Sequence, residues 1–424
     1  MPRPRTTTRW LPAAAAVAVA AWGANQFTAL ATVYRARTDW SALSLAAMFS
    51  VYLVGLVPGL LLGGPAADRY GRRRTVRAAL GLSAAASALL ALTDEPTGYT
   101  ARLATGFAAG LVFLAGTTWL RELSGPGTTP EAAARRAMYA TGAGFAAGAL
   151  ASGVIAEWLP GPTVLPCLAH SVACLLVLRA TRRIPDTAAV HRPVRPADHH
   201  RAAVRHPRFR YVVLPASPAV LGAATVAYVV LPPLVASRVP GYAPLFSGLV
   251  AALTLTMGVV AQPFAARLDD AGSARATLTA MATVIAGLLL GALAAARDSV
   301  GLVVAAAFVL GTGYGLTLGA GLHEVERLTP RNTGPTSASL YQSTTSSGFL
   351  TPLLLAGAAG HASYPALLVG MAAVGVFCLA VTGAHSRRHL PEPEDPTHAG
   401  SETSEDASVQ SGPTPPRSRR RWAE

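Results

Sequence analysis

The chain is dominated by apolar runs of about 20 residues that follow one another with only short polar turns between them. An α-helix of that length crosses the hydrocarbon core of a bilayer, which is about 30 Å thick. Each run is expected to be helical, because a backbone in lipid has to satisfy its hydrogen bonds within its own segment. Charged residues make up only 13% of the chain, about half the fraction that is usual in soluble domains. These features predict an all-α, polytopic membrane protein.

Twelve such runs can be placed along the sequence, and the third and the sixth fit the pattern least well. They are Leu11–Val33, Leu43–Ala66, Thr75–Thr93, Tyr99–Leu120, Ala137–Trp158, Val164–Arg179, Tyr211–Ser237, Leu245–Ala266, Thr277–Ala296, Val300–Leu322, Thr336–Gly357 and Tyr364–Gly383. The first run follows three arginines and resembles a secretory signal peptide. It is longer than the usual apolar region of such a peptide, so we expect it to remain as the first helix.

The longest interior polar stretch divides these runs into six before it and six after it. It predicts an N-terminal six-helix bundle at residues 1–180, a cytosolic linker at 181–210 and a C-terminal six-helix bundle at 211–384. The linker is expected to be flexible or to lie on the membrane surface. The tail at 385–424 is rich in Pro, Ser, Thr and Glu and is expected to be disordered.

All 35 basic residues are arginine, and their placement indicates the orientation in the membrane. With the N-terminus inside, the arginines concentrate in the inner turns and in the two tails, as the positive-inside rule requires. We therefore expect a plasma membrane protein of the bacterial inner-membrane type with both termini cytosolic. Because the charge is dispersed, nucleic acid is not an expected partner. The absence of lysine excludes a P-loop ATPase, whose phosphate site needs that residue.

The sequence does not predict a cofactor, a metal site or a catalytic site. The chain has three cysteines, all within apolar runs, and this odd number does not indicate a disulfide framework. The histidines of the linker fit no zinc-ligand spacing. We expect a monomer whose partners are a small-molecule substrate and membrane lipids, with protons as an open coupling ion.

A dense charge cluster, Gly64–Arg74, stands in the turn between the second and third runs. It reads Gly-Pro-Ala-Ala-Asp-Arg-Tyr-Gly-Arg-Arg-Arg, which is similar to the signature of the major facilitator superfamily in the loop after the second helix. The resemblance extends over about Leu11 to Gly383. It implies twelve transmembrane helices in two pseudo-symmetric six-helix bundles, with a solute site between them.

The resemblance also implies a conformational gate at this turn. The gate residues are Gly64, Asp68, Arg69, Gly71, Arg72, Arg73 and Glu122. In that family the second helix runs beside the eleventh, so Asp68 is expected to face the positive end of the eleventh helix near Asn332–Thr336. Arg72 or Arg73 can then pair with Glu122. This network would hold the halves together on the cytosolic side when the cavity opens outward; topology alone is the alternative explanation for the arginines.

Six residues are candidates for binding the substrate or a coupling ion. Arg102 begins a segment similar to the fourth-helix Arg-x-x-x-Gly pattern of the family, where this arginine serves proton coupling or substrate binding; the alternative is that it extends to the lipid headgroups. Asn25 or Gln26 is either a substrate-facing amide or a helix–helix contact. The remaining candidates are Tyr228, Tyr314 and Gln342.

Glycines recur at every fourth position in three runs, which predicts faces on which helices pack closely. They are Gly55, Gly59 and Gly63; Gly144 and Gly148; and Gly311, Gly315 and Gly319.

The function predicted from these features is secondary active transport of a small organic solute by alternating access. Efflux of amphipathic compounds is the first choice, because the apolar runs offer few charges to anchor an ionic substrate. The fifth run lacks the Gly-Pro pair of many proton-driven drug antiporters, and the first lacks their mid-membrane acid, so antiport and ion coupling stay open. An uptake symporter or facilitator for a neutral or anionic metabolite, with Arg102 as its counter-ion, is one alternative; a non-transporting membrane enzyme or sensor is another.

Overall fold

The computed structural model describes residues 8–125, 127–187, 206–328, 341–342 and 344–388. The helices within those residues are α1 Leu11–Arg37, α2 Ala42–Tyr70, α3 Arg72–Leu90, α4 Glu95–Leu123, α5 Pro130–Trp158, α6 Leu165–Arg183, α7 Phe209–Leu234, α8 Ala243–Ala261, α9 Phe264–Leu268, α10 Arg275–Arg297, α11 Val300–Arg327, α12 Thr351–Ala358 and α13 Tyr364–His385. Among these, ten are long and apolar enough to cross a bilayer: α1, α2, α4 to α8, α10, α11 and α13.

The predicted third and eleventh spans need separate comment. The third is α3, a 19-residue helix whose first turns carry Arg72, Arg73, Arg74 and Arg77, so its composition is less apolar than that of the other spans. The predicted eleventh span, 336–357, lies partly outside the described residues, and its described part ends in the short helix α12. The count of twelve is therefore approximate, and the all-helical, membrane-spanning class is confirmed.

Because successive helices run in opposite directions, the bundle has two ends. We call the end with the start of α1, the end of α6 and the start of α7 the linker end. The opposite end, with the turns at 38–41 and 159–164, is the far end. The helices α1 to α6 form the N-half, and α7 to α13 form the C-half.

The two halves repeat the same helix pairings. In the N-half α2 packs on α4 and α3 packs on α6; in the C-half α8 packs on α11 and α10 packs on α13. Between the halves, α5 packs along α8, and α2 meets α12. These matching pairings are what a repeated bundle requires, and they place the inter-half interface along α1, α2, α5, α7, α8 and α12.

Close helix packing depends on glycine at the pairings of both halves. Gly55 of α2 lies against the backbone carbonyl of Leu103 in α4, so a Cβ atom at this position would clash with it. In the C-half, Gly315 of α11 lies in the same way against Gly258 of α8. The close packing predicted from glycines at every fourth position is therefore present in the structure. Two backbones can approach this closely only where the side chains are small.

A matched pair of glycine substitutions tests this packing. Gly106 of α4 faces the backbone carbonyl of Tyr52, whereas a Cβ atom added at Gly81 of α3 would meet no atom within 4 Å. We expect Gly106→Ala to lower the melting temperature, because overpacking typically costs about 1–3 kcal/mol. Gly81→Ala should leave it unchanged or raise it slightly, because Ala favours helix. Thermal unfolding in detergent measures both, and equal melting temperatures would contradict the packing argument.

Candidate functional site

Arg72 lies between two carboxylates at the linker end of the N-half. Its Nη1 is 2.7 Å from Oδ1 of Asp68 at the end of α2, and its Nε is 3.5 Å from Oε1 of Glu122 at the end of α4. The second contact is a charge interaction without hydrogen-bond alignment. The Arg72 side chain is only 9% exposed, whereas that of Asp68 is 49% exposed. Of the two arginines considered from the sequence, Arg72 is therefore the one that contacts Glu122.

Gly71 connects α2 to α3 with a left-handed backbone. Its φ is 92°, which favours glycine, and its N–H donates to the Ala67 carbonyl to close α2. The Asp186 carboxylate lies where a Cβ atom would be, and the Arg73 N–H donates to it at 3.4 Å. The turn therefore needs glycine both for its backbone angle and for the room that Asp186 occupies.

The start of the predicted linker packs against this turn. Nη1 of Arg73 donates to the carbonyls of Arg182 and Ile184 at 3.3 and 3.2 Å, and the Thr187 hydroxyl donates to Glu122. We expect a flexible or surface-lying segment from residue 181; in its described part, four residues bond Arg73 or Glu122: Arg182, Ile184, Asp186 and Thr187. Nothing in the sequence indicates this contact, because the polar composition of the segment matches that of a solvated loop.

The remaining gate residues have simpler surroundings. Arg69 is exposed beside Tyr70, and Gly64 lies near Leu114 of α4. The contacts found for the gate residues all lie within the N-half and the described start of the linker. Their predicted partner in the other half, at 332–336, lies outside the described residues, so the latch between halves stays a prediction.

The C-half has a buried ion pair at the corresponding place. Nε and Nη2 of Arg208 donate to the two carboxylate oxygens of Glu324 at 2.6 and 2.8 Å, and both side chains are buried. Nη1 of Arg208 also donates to the Ser386 carbonyl at 3.2 Å, which ties α7, α11 and the end of α13 together. In the sequence, Arg208 is only one of the inner-side arginines. A carboxylate at the end of an apolar run, as at Glu324, is the signal that could have identified the pair.

The turn after α9 completes this second cluster. Arg327 forms ion pairs with Asp269 at 2.5 Å and with Glu324 at 3.8 Å. In the same turn the Ser273 hydroxyl and the Gly272 N–H donate to Asp270, and these hydrogen bonds hold the pKa of that carboxyl below its usual value. Each half thus has an arginine–carboxylate cluster at its linker end.

Arg102 is buried inside the N-half, with 1% of its surface exposed. Its Nε donates to the Met48 carbonyl of α2 and its Nη1 to the Ala24 carbonyl of α1, both at 3.4 Å. The guanidinium also lies 4.9 Å from the ring centre of Phe27 and 4.8 Å from that of Tyr52. No carboxylate among the described residues pairs with it, and its Nη2 has no hydrogen-bond partner among them. Arg102 therefore does not extend to the headgroups; it is a buried cation with a free donor.

Five aromatic residues, which we call the aromatic layer, lie beside Arg102 and connect the halves: Phe27, Phe49, Tyr52, Tyr228 and Phe349. Phe49 contacts the rings of Tyr228 and Phe349 with centroids 6.3 and 5.6 Å apart, and Tyr52 contacts Phe349 at 5.6 Å. Tyr228, which lies in a π-helical turn of α7, joins this layer through its contact with Phe49. The structure thus brings two of the predicted candidates into one region.

A 3₁₀ turn, Ser347–Leu350, interrupts the helix before α12 at this layer. Just before it, the hydroxyls of Thr345 and Ser346 donate to the Gln342 carbonyl at 3.0 and 2.7 Å, and such local bonds compete with regular helix. Two carbonyls of the turn then accept hydroxyls from different halves. The Ser50 hydroxyl of α2 donates to Phe349 at 3.2 Å, and the Thr225 hydroxyl of α7 donates to Gly348 at 3.3 Å.

The two amides of α1 differ in their surroundings. Gln26 is fully buried, and its Nε2 donates to the Ser87 hydroxyl of α3 at 2.7 Å; that hydroxyl also bonds Nδ1 of His170 in α6 at 2.7 Å. The Gln26 amide nitrogen therefore makes a helix–helix contact, whereas its Oε1 has no partner among the described residues, so both alternatives for Gln26 stay open. Asn25 is 5% exposed and makes no side-chain hydrogen bond with the described residues, so it stays a candidate.

The last two candidates lie apart from Arg102. The Tyr314 ring of α11 rests on Gly258 of α8. The Gln342 side chain is exposed, one helical segment before the 3₁₀ turn. Neither makes a contact that assigns it a role.

A cavity within the C-half contains none of the candidates. It measures about 670 Å³ and lies within the C-half between α7, α10, α12 and α13, with apolar walls formed by residues such as Val284, Leu288 and Leu355. A cleft of this composition in a membrane-spanning region offers no group that would select a polar solute. The chemistry of the site is therefore concentrated around Arg102 and the aromatic layer.

Sequence reasoning missed Phe27, Phe49, Tyr52, Ser50 and Phe349. Phe49 and Tyr52 are three residues apart in α2, and therefore lie on one helix face. Aromatic residues form only 7% of the chain, so such a pair could have been singled out. Its partner Phe349 could not, because nothing local in the sequence indicates which helix lies opposite.

Comparisons with known proteins agree with this architecture. Residues 13–352 match the family described as the Major Facilitator Superfamily. The fold is similar to that of the nucleoside transporter NupG, with 13% identity, a TM-score of 0.70, and coverage of 89% of this chain and 99% of that chain. It is also similar to a POT family transporter in complex with 5-aminolevulinic acid (11% identity, TM-score 0.74, coverage 90% and 96%). For a D-xylose-proton symporter the identity is 15%, the TM-score 0.65 and the coverage 90% and 97%. A comparison with curated proteins finds no match.

The buried pair between Arg208 and Glu324 gives a prediction about stability. Arg208→Met should destabilise the fold by about 3–5 kcal/mol, because it leaves the buried Glu324 charge with only the longer 3.8 Å contact to Arg327. The double variant Arg208→Met with Glu324→Leu should recover most of that loss. As a control, Arg238→Gln breaks an exposed pair with Asp298 and should cost less than about 1 kcal/mol. Denaturation in detergent measures all three, and equal losses for Arg208→Met and Arg238→Gln would refute the assignment.

Proposed function

The chain belongs to the Major Facilitator Superfamily, and from that premise we propose that it is a secondary transporter that moves a small amphipathic solute with an anionic or hydrogen-bond-accepting group by alternating access. The observation that carries the proposal is the buried guanidinium of Arg102, which has a free donor and no carboxylate partner among the described residues.

The inter-half contacts support a conformation that is closed at the far end. The aromatic layer and the bond from Ser50 to Phe349 join the halves there, and α5 meets α8 where Gly153 lies against Gly248. At the linker end, the last turns of α4 and the short helix α9 make their main contacts within their own halves. The arginine distribution leads us to assign the linker end to the cytosol, so this conformation faces inward. The membrane in our proposal is the plasma membrane.

Arg102 supports a choice of solute class. An arginine at the centre of a membrane helix costs about 2.5–3.5 kcal/mol on insertion scales. Arginines buried within a span therefore usually have a functional role. Two backbone carbonyls and two aromatic rings stabilise the charge but leave Nη2 without an acceptor among the described residues. A carboxylate or carbonyl group of a solute would supply that acceptor, whereas a cationic solute would be repelled. The apolar surroundings favour a solute whose remaining part is apolar.

The direction of transport is a separate part of the proposal. Efflux of amphipathic compounds fits the apolar inter-half surfaces, and uptake of an anionic metabolite with Arg102 as counter-ion is the second candidate. The neighbours in fold include a D-xylose-proton symporter, so coupling to protons needs its own measurement. The described carboxylates of the spanning helices lie near helix ends, as Glu122, Glu157 and Glu324 do. None of these described carboxylates is at mid-membrane.

An enzyme or sensor is the alternative class. The family and the named neighbours are transporters, which favours transport. Flux is the property that separates the classes, because an enzyme or sensor in sealed vesicles would move no solute.

Flux in proteoliposomes tests the proposed function. The probes are 4-phenylbutyrate, its uncharged amide and the cation 4-phenylbutylammonium, each with and without an imposed proton gradient. We expect protein-dependent flux of the anion that exceeds flux of the cation. Arg102→Gln should reduce the anion flux about tenfold or more, because a hydrogen bond to a charged group is lost. Arg121→Gln, an exposed arginine on the same helix, is the control. Equal flux of anion and cation in the wild type would reject the solute class.

The gate gives a second prediction. Asp68 is half exposed in the inward-facing conformation, and while its Oδ1 pairs with Arg72 its exposed carboxylate can also meet the other half when the linker end closes. Asp68→Asn should shift the equilibrium toward the inward-facing state by about two- to fivefold, the range of an exposed ion pair, and should slow transport. The readout is the labelling rate of a cysteine introduced at exposed Gln342; Asp39→Asn at the far end is the control. Unchanged labelling and unchanged flux would remove Asp68 from the gate.

A further inference from the structure

A second cavity lies between the two halves on the far-end side of the aromatic layer. It measures about 310 Å³, at the lower end of the range for small-molecule pockets. Phe27 and Phe49 of the aromatic layer border it. We call this cavity the far-end vestibule. The aromatic layer separates it from the linker end, so it is distinct from the region reached from the inward-facing side.

The walls of the vestibule differ in chemistry. On one side, α1 contributes Thr28 and Arg35, which are seven residues apart and therefore lie on one helix face. On the other side, α7 contributes Val229 and Pro233, and Pro352 of α12 lies next to them. One wall thus offers a hydroxyl and a positive charge, while the residues that the C-half contributes are apolar except for Tyr364 of α13.

The hydroxyl of Thr28 is buried and has no partner among the described residues. Thr28 is 3% exposed, and its Oγ1 makes no hydrogen bond with them. Many of the other threonines bond a carbonyl three or four residues earlier, as Thr105 does to Ala101 at 2.8 Å, whereas Thr277 and Thr382, like Thr28, have no partner among the described residues. A buried hydroxyl without a partner is unfavourable, so its presence beside a cavity indicates a site for an acceptor group.

Arg102 explains why the Thr28 hydroxyl is free. The carbonyl four residues before Thr28 belongs to Ala24, and it receives Nη1 of Arg102 at 3.4 Å. The same oxygen also accepts the helical N–H of Thr28, since N–H to C=O bonds link residues four apart in an α-helix. A carbonyl oxygen has two lone pairs, and both are then used. The Thr28 hydroxyl is left without this acceptor, and Thr28 is one of the residues that line the cavity.

Arg35 supplies the charge at the rim. Its Nη1 donates to the Trp40 carbonyl at 2.9 Å, which fixes the guanidinium at the mouth of the vestibule. It forms no ion pair with the described residues. A fixed cation at the rim, together with a free hydroxyl below it, is suited to a carboxylate.

We propose that the far-end vestibule is a second binding site for an amphipathic organic anion, whose carboxylate is held by Thr28 and Arg35 and whose apolar part packs on α7 and α12. The inference rests on the proposed transport function and deepens it, because it adds an outer stage to the route of the same solute. Phe27, which contacts Arg102, also borders the vestibule, so the aromatic layer lies between this site and Arg102.

Binding of 4-phenylbutyrate to the purified full-length protein in lipid nanodiscs tests the proposal by calorimetry. Arg35→Gln and Thr28→Val should each weaken binding, by about tenfold for the charged partner and by severalfold for the hydroxyl. Thr32→Val is the matched control. Thr32 lies one turn further along the same helix face, but its hydroxyl already donates to the Ala29 carbonyl at 2.9 Å, so binding should change less than about twofold. Melting temperatures of all variants check folding.

A labelling experiment locates the site. Ala36 is exposed and borders the vestibule, and Leu92 is 63% exposed at the same end but is not among the residues that border it. We expect 4-phenylbutyrate to slow maleimide labelling of Ala36→Cys and to leave Leu92→Cys unchanged. Equal slowing at both positions, or equal affinities for Thr28→Val and Thr32→Val, would overturn the proposal. Binding in detergent that disappears in nanodiscs would assign the cavity to lipid and overturn it too.

The outcomes separate this inference from the proposed function. Flux that depends on Arg102 together with vestibule variants that bind normally would reject the vestibule and keep the transporter. Variant-dependent binding without any protein-dependent flux would keep the site and reject the transporter.

Discussion

The charge of Arg102 is the constraint on which the described chemistry depends. In an apolar bundle a guanidinium has to be stabilised by whatever dipoles are near, and here these are the carbonyls of Ala24 and Met48 and the rings of Phe27 and Tyr52. Those contacts tie α4 to α1 and α2, orient two members of the aromatic layer and occupy the carbonyl that Thr28 would otherwise use. One buried cation therefore sets both the packing of the N-half and the polarity of the surfaces that a solute would meet.

The polar interactions of the fold are distributed unevenly between the inside of each half and the boundary between halves. Within the halves, arginine–carboxylate clusters hold helix ends together around Arg72 and Arg208. Between the halves, no ion pair joins described residues; aromatic contacts, small residues and the bond from Ser50 provide the connection. A buried, bidentate pair is costly to break, whereas aromatic contacts contribute about 0.5–1.5 kcal/mol each beyond area burial. Interconversion between states that differ by a few kcal/mol requires rigid halves and a weakly joined boundary between them.

Much of the fold could be predicted from the sequence, because membrane insertion imposes strong local rules. Length and hydropathy located the helices, and the motif at Gly64–Arg74 placed Arg72 within reach of Glu122. The direction of side chains was harder to predict. Asn25 and Gln26 are adjacent, yet about 100° of helical rotation separates them, and hydropathy does not indicate which side faces a neighbouring helix. Arg208 matched the positive-inside pattern, so its burial against Glu324 became evident only when α7, α11 and α13 were assembled. Pairing across the halves, as between Phe49 and Phe349, depends on residues about 300 positions apart in the sequence.

The 3₁₀ turn at Ser347–Leu350 has a mechanical consequence. One of its carbonyls accepts a hydrogen bond from α7 and the next accepts one from α2, so the turn is bonded to both halves. A segment fastened in this way cannot follow either body as a rigid rod when they tilt apart. Tilting of the halves therefore has to alter the turn itself or one of the two hydrogen bonds that hold it.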